Sequence, residues 1–253
     1  MRMIDNFKED MKKLQGYTTQ EKIAYIRDYY IWHIVVILAV VVIVVSSIIS
    51  AATKKDAVLI GMMLNAGNEG GMAAQALCED FLQKENLDPK KFEVELNAGM
   101  IFMPENKEAA ASNSATQDVL MARISGKLLD FVAGNYNAML TLAYSDYFVD
   151  LSKVLTDEQI ETYKDRILYM DSAVLEELRK AAESEDYSAD IKIPDPKKPE
   201  LMKTPVPILL SMAGSEPLKA VYPNTTEVIV FAVTQNYPNH QNLISFVDYL
   251  LNH

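Results

Sequence analysis

The chain has 253 residues, with 24 Lys or Arg against 35 Asp or Glu, a net charge of −11 and a single cysteine. That acidic balance excludes a broad nucleic-acid interface, because phosphates demand basic patches. The one cysteine, Cys78, excludes an intramolecular disulfide, so packing alone must hold the fold.

Residues 1–29 carry six Lys or Arg and five Asp or Glu. Ile4, Phe7, Met11 and Leu14 recur at helical spacing and predict a short amphipathic helix that stops near Gly16. Thr18 with Glu21 reads as a capping box opening a second helix. That helix runs into residues 31–52, a 22-residue stretch without one charged side chain. At ~1.5 Å per residue the stretch spans about 33 Å, enough for a hydrocarbon core of about 30 Å. Tyr29, Tyr30 and Trp32 at its edge suit the headgroup region of a bilayer. Residues 30–53 are therefore read as a transmembrane helix, with residues 31–52 in contact with lipid. A cleaved signal peptide is the competing reading, with Ser50 and Ala52 as a small-residue cleavage site, but its apolar region is only ~7–15 residues. Lys12, Lys13, Lys22 and Arg27 precede the stretch, whereas only Lys54 and Lys55 follow closely. This bias predicts a single-pass plasma-membrane protein with residues 1–29 cytoplasmic and residues 56–253 extracellular.

Residues 56–253 hold 16 Lys or Arg against 30 Asp or Glu. Their length suffices for one substantial core, in one or two lobes. Residues 57–65 form a short apolar run suited to a buried strand, and Gly67, Asn68, Gly70 and Gly71 supply turn chemistry. A helix is predicted over 72–84. Residues 91–96 alternate Phe92, Val94 and Leu96 with Lys91, Glu93 and Glu95, the period of a strand with one wet face. Residues 103–116 read as a loop, 117–127 as a helix, 128–133 as a strand and 137–147 as a helix. Thr156 is placed to cap a helix over 157–167. A short strand at 168–170 and a helix at 172–183 follow. Residues 188–207 hold five of the ten prolines and predict an extended connector. Strands at 208–212 and 227–234 and a helix at 239–251 close the domain. Alternation of strands and helices argues for an α/β domain with a mostly parallel sheet; an irregular α+β domain is the competing reading.

Three segments resemble extracellular solute-binding proteins of ATP-driven uptake systems. In residues 118–133 a helix ends in Ile124-Ser125-Gly126 and feeds a strand containing Asp130-Phe131-Val132. Residues 148–155 read FVDLSKVL, like that family's apolar-x-Asp-Leu-Ser stretch. Residues 228–251 are a strand, a loop from Asn236 and a helix containing Phe246-Val247-Asp248-Tyr249-Leu250. The resemblance implies a type 2 periplasmic-binding-like fold with two lobes, in a short, membrane-anchored, Clostridia-like version. The anchor and the small ectodomain depart from the family's pattern.

The residues offer little for catalysis. His33, His240 and His253 lack metal-ligand spacing, Cys78 has no His close in sequence, and no Gly-x-Ser-x-Gly elbow is present. No enzyme activity, metal or cofactor is expected. Gly67-Asn68-Glu69-Gly70-Gly71 lacks the Lys-Ser/Thr of a phosphate loop. The better candidates lie after strands, where open α/β sheets bind ligands. They are Asn65 and Asn68; Gly134, Asn135 and Tyr136; and Ser211, Gly214 and Ser215. Turn and cap roles explain the same residues. The function expected is binding or sensing of a small polar solute or peptide; the alternative is a scaffold for a membrane protein complex without a small-molecule ligand.

Overall fold

The computed structural model describes residues 16–67, 70–184, 191–235 and 237–252. The N-terminal stripe of Ile4, Phe7, Met11 and Leu14 and the candidate Asn68 lie outside them. The chain divides into two units, Met1–Lys54 and Lys55–His253.

The first unit is carried by α1 (Thr19–Thr53). Thr18 and Glu21 form the capping box: the Glu21 backbone N–H donates to Thr18 Oγ1, and the Thr18 N–H donates to Glu21 Oε2 at 2.8 Å. Two orphan donors of the first turn are thereby satisfied. Over Tyr30–Ser47 α1 is long and apolar enough to cross a membrane. Its apolar side chains are exposed all round, Trp32, Leu38 and Ile43 among them. In water such a surface has no partner to bury it.

The second unit is an α/β/α sandwich around one six-stranded sheet. Its elements are β1 (Asp56–Met63), α2 (Gly70–Lys84), β2 (Phe92–Asn97), α3 (Ala110–Ser125), β3 (Phe131–Asn135), α4 (Tyr136–Ala143), α5 (Asp157–Tyr163), β4 (Ile167–Asp171), α6 (Ser172–Glu183), β5 (Pro205–Ser211), α7 (Glu216–Val221), β6 (Ile229–Val233) and α8 (His240–Asn252). The strand order is β2-β1-β3-β6-β5-β4.

The sheet is mixed, which corrects the expectation of a mostly parallel one. β1 pairs parallel with β2 and β3, but β3–β6, β5–β6 and β4–β5 are antiparallel. The connections explain the difference. The links through α2 and α3 cross over the sheet and return each strand in the same sense. The link through α7 leaves β5 at Ser211 and enters β6 beside it, where Ser211 pairs with Val230. A link that starts and ends at one edge reverses the strand. Alternation of helix and strand in sequence does not distinguish the two kinds of link.

Each face of the sheet carries its own core. On one, Phe81 of α2, Phe131 of β3, Phe231 of β6 and Phe246 of α8 pack together. Phe131 and Phe231 stack at 4.6 Å between centroids, and Phe81 meets Phe246 edge-on at 5.0 Å. On the other face Leu120 of α3, Met139 and Leu142 of α4 and Val174 of α6 cover Met62, Val132 and Val230. Gly61 of β1 leaves room for the Phe131 ring: a Cβ there would lie 2.2 Å from Cζ.

The loop expected at 103–116 is mostly helix. Lys107–Ala109 forms a 3-10 turn and α3 starts at Ala110. Polar residues masked the pattern, but Ala-rich sequence favours helix, and Thr116 is buried with Oγ1 donating to Ile101 O at 2.7 Å. The helix predicted over 157–167 stops at Tyr163, because Ile167 already opens β4. Thr156 caps it as expected, with Gln159 completing the box.

Two buried carboxylates hold the edge where β3 begins and β4 ends. Asp130, fully buried, accepts from the N–H groups of Ile60 and Asn239, both at 2.7 Å, and from Asn239 Nδ2 at 3.1 Å. Burial raises its pKa, and these donors offset only part of the shift. Asp171 accepts from the N–H groups of Lys203 at 2.8 Å, Thr204 at 3.0 Å and Ala173 at 3.1 Å. Burial works against its charge too, but here the backbone donors prevail and the carboxyl lies below its usual range.

Candidate functional site

At the opposite edge the strand ends of β1, β3 and β5 meet the strand starts of β4 and β6. Asn65 follows β1 with a left-handed backbone, φ 60°, a conformation asparagine tolerates better than most residues. That geometry turns its side chain onto the loop after β2. Asn65 Oδ1 accepts from the Phe102 N–H at 2.8 Å, and Nδ2 donates to Phe102 O at 2.7 Å. Nδ2 also donates to Asn135 Oδ1 at 2.6 Å. Asn135, at the end of β3, donates from its own Nδ2 to Glu227 Oε2 at 2.8 Å. Each of the two amide-to-side-chain bonds donates toward the carboxylate.

The chain borders a cavity of about 360 Å³ lined by Asn65, Asn106, Asn135, Asn137, Tyr222, Asn224, Thr225, Glu105 and Glu227, among others. Residues 103–106 form one wall. Asn113 of α3 pins that wall, accepting from the Met103 N–H at 2.7 Å and donating to Met103 O at 2.9 Å. Tyr222, buried, donates to Ala133 O at 3.2 Å. Burial drives its phenol pKa strongly up, so the hydroxyl stays protonated.

A second hollow of about 1040 Å³ adjoins the first, sharing Asn137 and Glu227. Tyr136, Lys164, Asp165, Asp195, Lys197 and Ser211 line it. Burial and then the Asp195 charge raise the Tyr136 phenol. Arg166 fixes the rim by donating to Ala213 O at 2.7 Å.

The structure divides the sequence candidates. Asn65 and Asn135 border the first hollow; Tyr136 and Ser211 line the second. Gly134 is buried in β3, where a Cβ would come within 3.1 Å of Leu64 Cβ, so it serves packing. Gly214, at φ +84° with open space around it, serves a turn. Ser215 is buried at the start of α7, and its Oγ has no hydrogen-bond partner.

Sequence reasoning missed Glu227, Asn137, Asn224 and Glu105. Glu227 precedes β6, and a parallel β6 would have carried it to the far edge. The reversal of β6 is what delivers it to Asn135, and the helix-bearing connection of residues 212–228 is long enough for either strand sense. Chemically the edge offers amides, hydroxyls and carboxylates for hydrogen bonding. Among the described residues no three His, Cys, Asp or Glu side chains converge as a metal set. No family model, curated protein or solved structure matches the chain.

Proposed function

We propose that the protein is a membrane-anchored, non-catalytic domain that binds or senses a small polar solute or peptide, in the manner of the extracellular solute-binding proteins it resembles. The observation that carries this reading is the chain Asn65–Asn135–Glu227 bordering a hollow at the carboxyl edge of parallel strands. Open α/β sheets bind ligands at that edge, and about 360 Å³ suits a small solute. In this reading α1 tethers the domain, residues 1–29 lie in the cytoplasm and residues 56–253 lie outside the plasma membrane.

The test is thermal denaturation of the full chain in lipid nanodiscs against sugars, amino acids and short peptides. A ligand at about 100 times its Kd adds about 2.7 kcal/mol of stability. One compound should raise the midpoint, and Asn135→Ala should abolish the rise. A flat response across all classes overturns the proposal.

A scaffold role is the second reading, and the open edge of β2 favours it. Among the described residues β2 pairs with β1 alone. Beside it runs a groove of about 1050 Å³ lined by Leu82, Phe92, Val94, Leu96 and Glu93. An open strand edge next to a helix is a common docking geometry for an extended peptide. A photo-crosslinker at position 93 should then trap one partner in stoichiometric yield in membranes; diffuse labelling counts against it.

A further inference from the structure

The hydrogen-bond polarity of the asparagine hollow specifies the charge of what it takes; the argument rests on the solute-binding reading above. Both hydrogens of Asn65 Nδ2 are spent, on Phe102 O and Asn135 Oδ1. One hydrogen of Asn135 Nδ2 is spent on Glu227. What the chain leaves for a ligand is the Glu227 carboxylate, the remaining lone pair of Asn135 Oδ1 and the second hydrogen of Asn135 Nδ2. Among the described residues, the charged ones that line the hollow are Glu105 and Glu227, and no Lys or Arg lines it. A neutral solute would give the two carboxylates no countercharge, and an anion would meet them as like charges. A solute carrying an ammonium group supplies the positive charge and the charge-assisted donors that the two carboxylates take.

We propose that the hollow bordered by Asn65, Asn135 and Glu227 binds a small polar ammonium compound, with its cationic nitrogen at Glu227 and its polar remainder along the asparagines. Asn137, common to both hollows, stands where a longer solute continues into the second one. There Lys164 and Lys197 meet the part of the solute away from the ammonium group.

Calorimetry on the full chain in nanodiscs, with matched probes, tests this. The probes are glucosamine, glucose and glucuronate, then alaninamide and its uncharged counterpart lactamide. The ammonium members should bind at least about tenfold more tightly than their neutral counterparts, since a charge-assisted bond is at stake. Glu227→Gln should erase that preference, because it keeps an acceptor for Asn135 but removes the charge. Glu227 lies at the exposed lip, so the variant folds. If neutral or acidic members bind as well as the ammonium ones, or E227Q keeps the preference, the ammonium assignment is overturned and the solute-binding reading stands. If the ammonium members are silent while another solute binds, the assignment again fails alone. Silence from every solute overturns both.

Discussion

The side chain of Asn65 donates to that of Asn135 across 2.6 Å, joining the ends of two parallel strands at the rim of the polar hollow. The same amide holds both backbone groups of Phe102. One residue therefore fixes the rim, the neighbouring loop and the orientation of the next amide.

Asn65→Gly keeps the left-handed backbone but loses those bonds. It should cost about 1–3 kcal/mol, the penalty for leaving half-buried donors and acceptors unpaired. Asn65→Ala should cost more, because a Cβ without a helpful polar group resists φ 60°. Urea titrations of both variants check the order; equal losses would show that the backbone contributes nothing.

Phe246→Ala empties the centre of the four-ring cluster and should cost about 3–5 kcal/mol. Gly61→Ala attacks the same cluster from the strand, since its Cβ would collide with Phe131. Overpacking of this kind costs about 1–3 kcal/mol. The two losses should not add, because both act on Phe131. A double mutant with a strictly additive loss would contradict a shared cluster.

The two buried carboxylates should give opposite pH dependences. Asp171 has a depressed pKa, so its stabilisation is present above the ordinary 3.8 and is lost as pH falls through the lower folded value. The advantage of wild type over Asp171→Asn should shrink as pH falls through 3.8 and below. Asp130 has a raised pKa, so its contribution is greatest below 3.8 and declines as pH rises through the folded value. The gap between wild type and Asp130→Asn should shrink in that opposite direction. Denaturation midpoints measured from pH 3 to pH 8 distinguish the two slopes.

Cys78 lies on the buried face of α2, and burial pushes its thiol up to about 12. Only about one molecule in ten thousand carries the thiolate at pH 8. N-ethylmaleimide should leave the native chain unlabelled for hours and label it within minutes in denaturant. Fast native labelling would place Cys78 outside the core.

Trp32 is the one tryptophan of the chain, so its fluorescence reports on α1 alone. In vesicles, lipids with a quencher near the headgroup should dim it more than lipids quenched at mid-bilayer. Equal or deeper quenching would move the span relative to residues 31–52.

Sequence periodicity was informative where burial is one-sided. The wet face of β2, the helix α8, the capping box at Thr18 and the N-cap at Thr156 all emerged at nearly their final bounds. Asn65 and Asn135 were also visible, as polar residues just after apolar strands. Glu227 was not, because its place depends on strand sense, and strand sense is set by how a connection crosses the sheet. Nothing local to Glu227 encodes that. The helix α3 was hidden for a different reason: alanine, serine and asparagine give little amphipathic contrast even where helix is favoured.

The antiparallel seat of β6 between β3 and β5 also sets an order of assembly. Residues 56–135 can pair β2, β1 and β3, and residues 167–211 can pair β4 with β5, but nothing joins these halves until residues 229–233 arrive. The keystone of the sheet is its last strand in the chain. During synthesis, two half-sheets with open edges must wait for it. Those edges are what a holdase would need to guard.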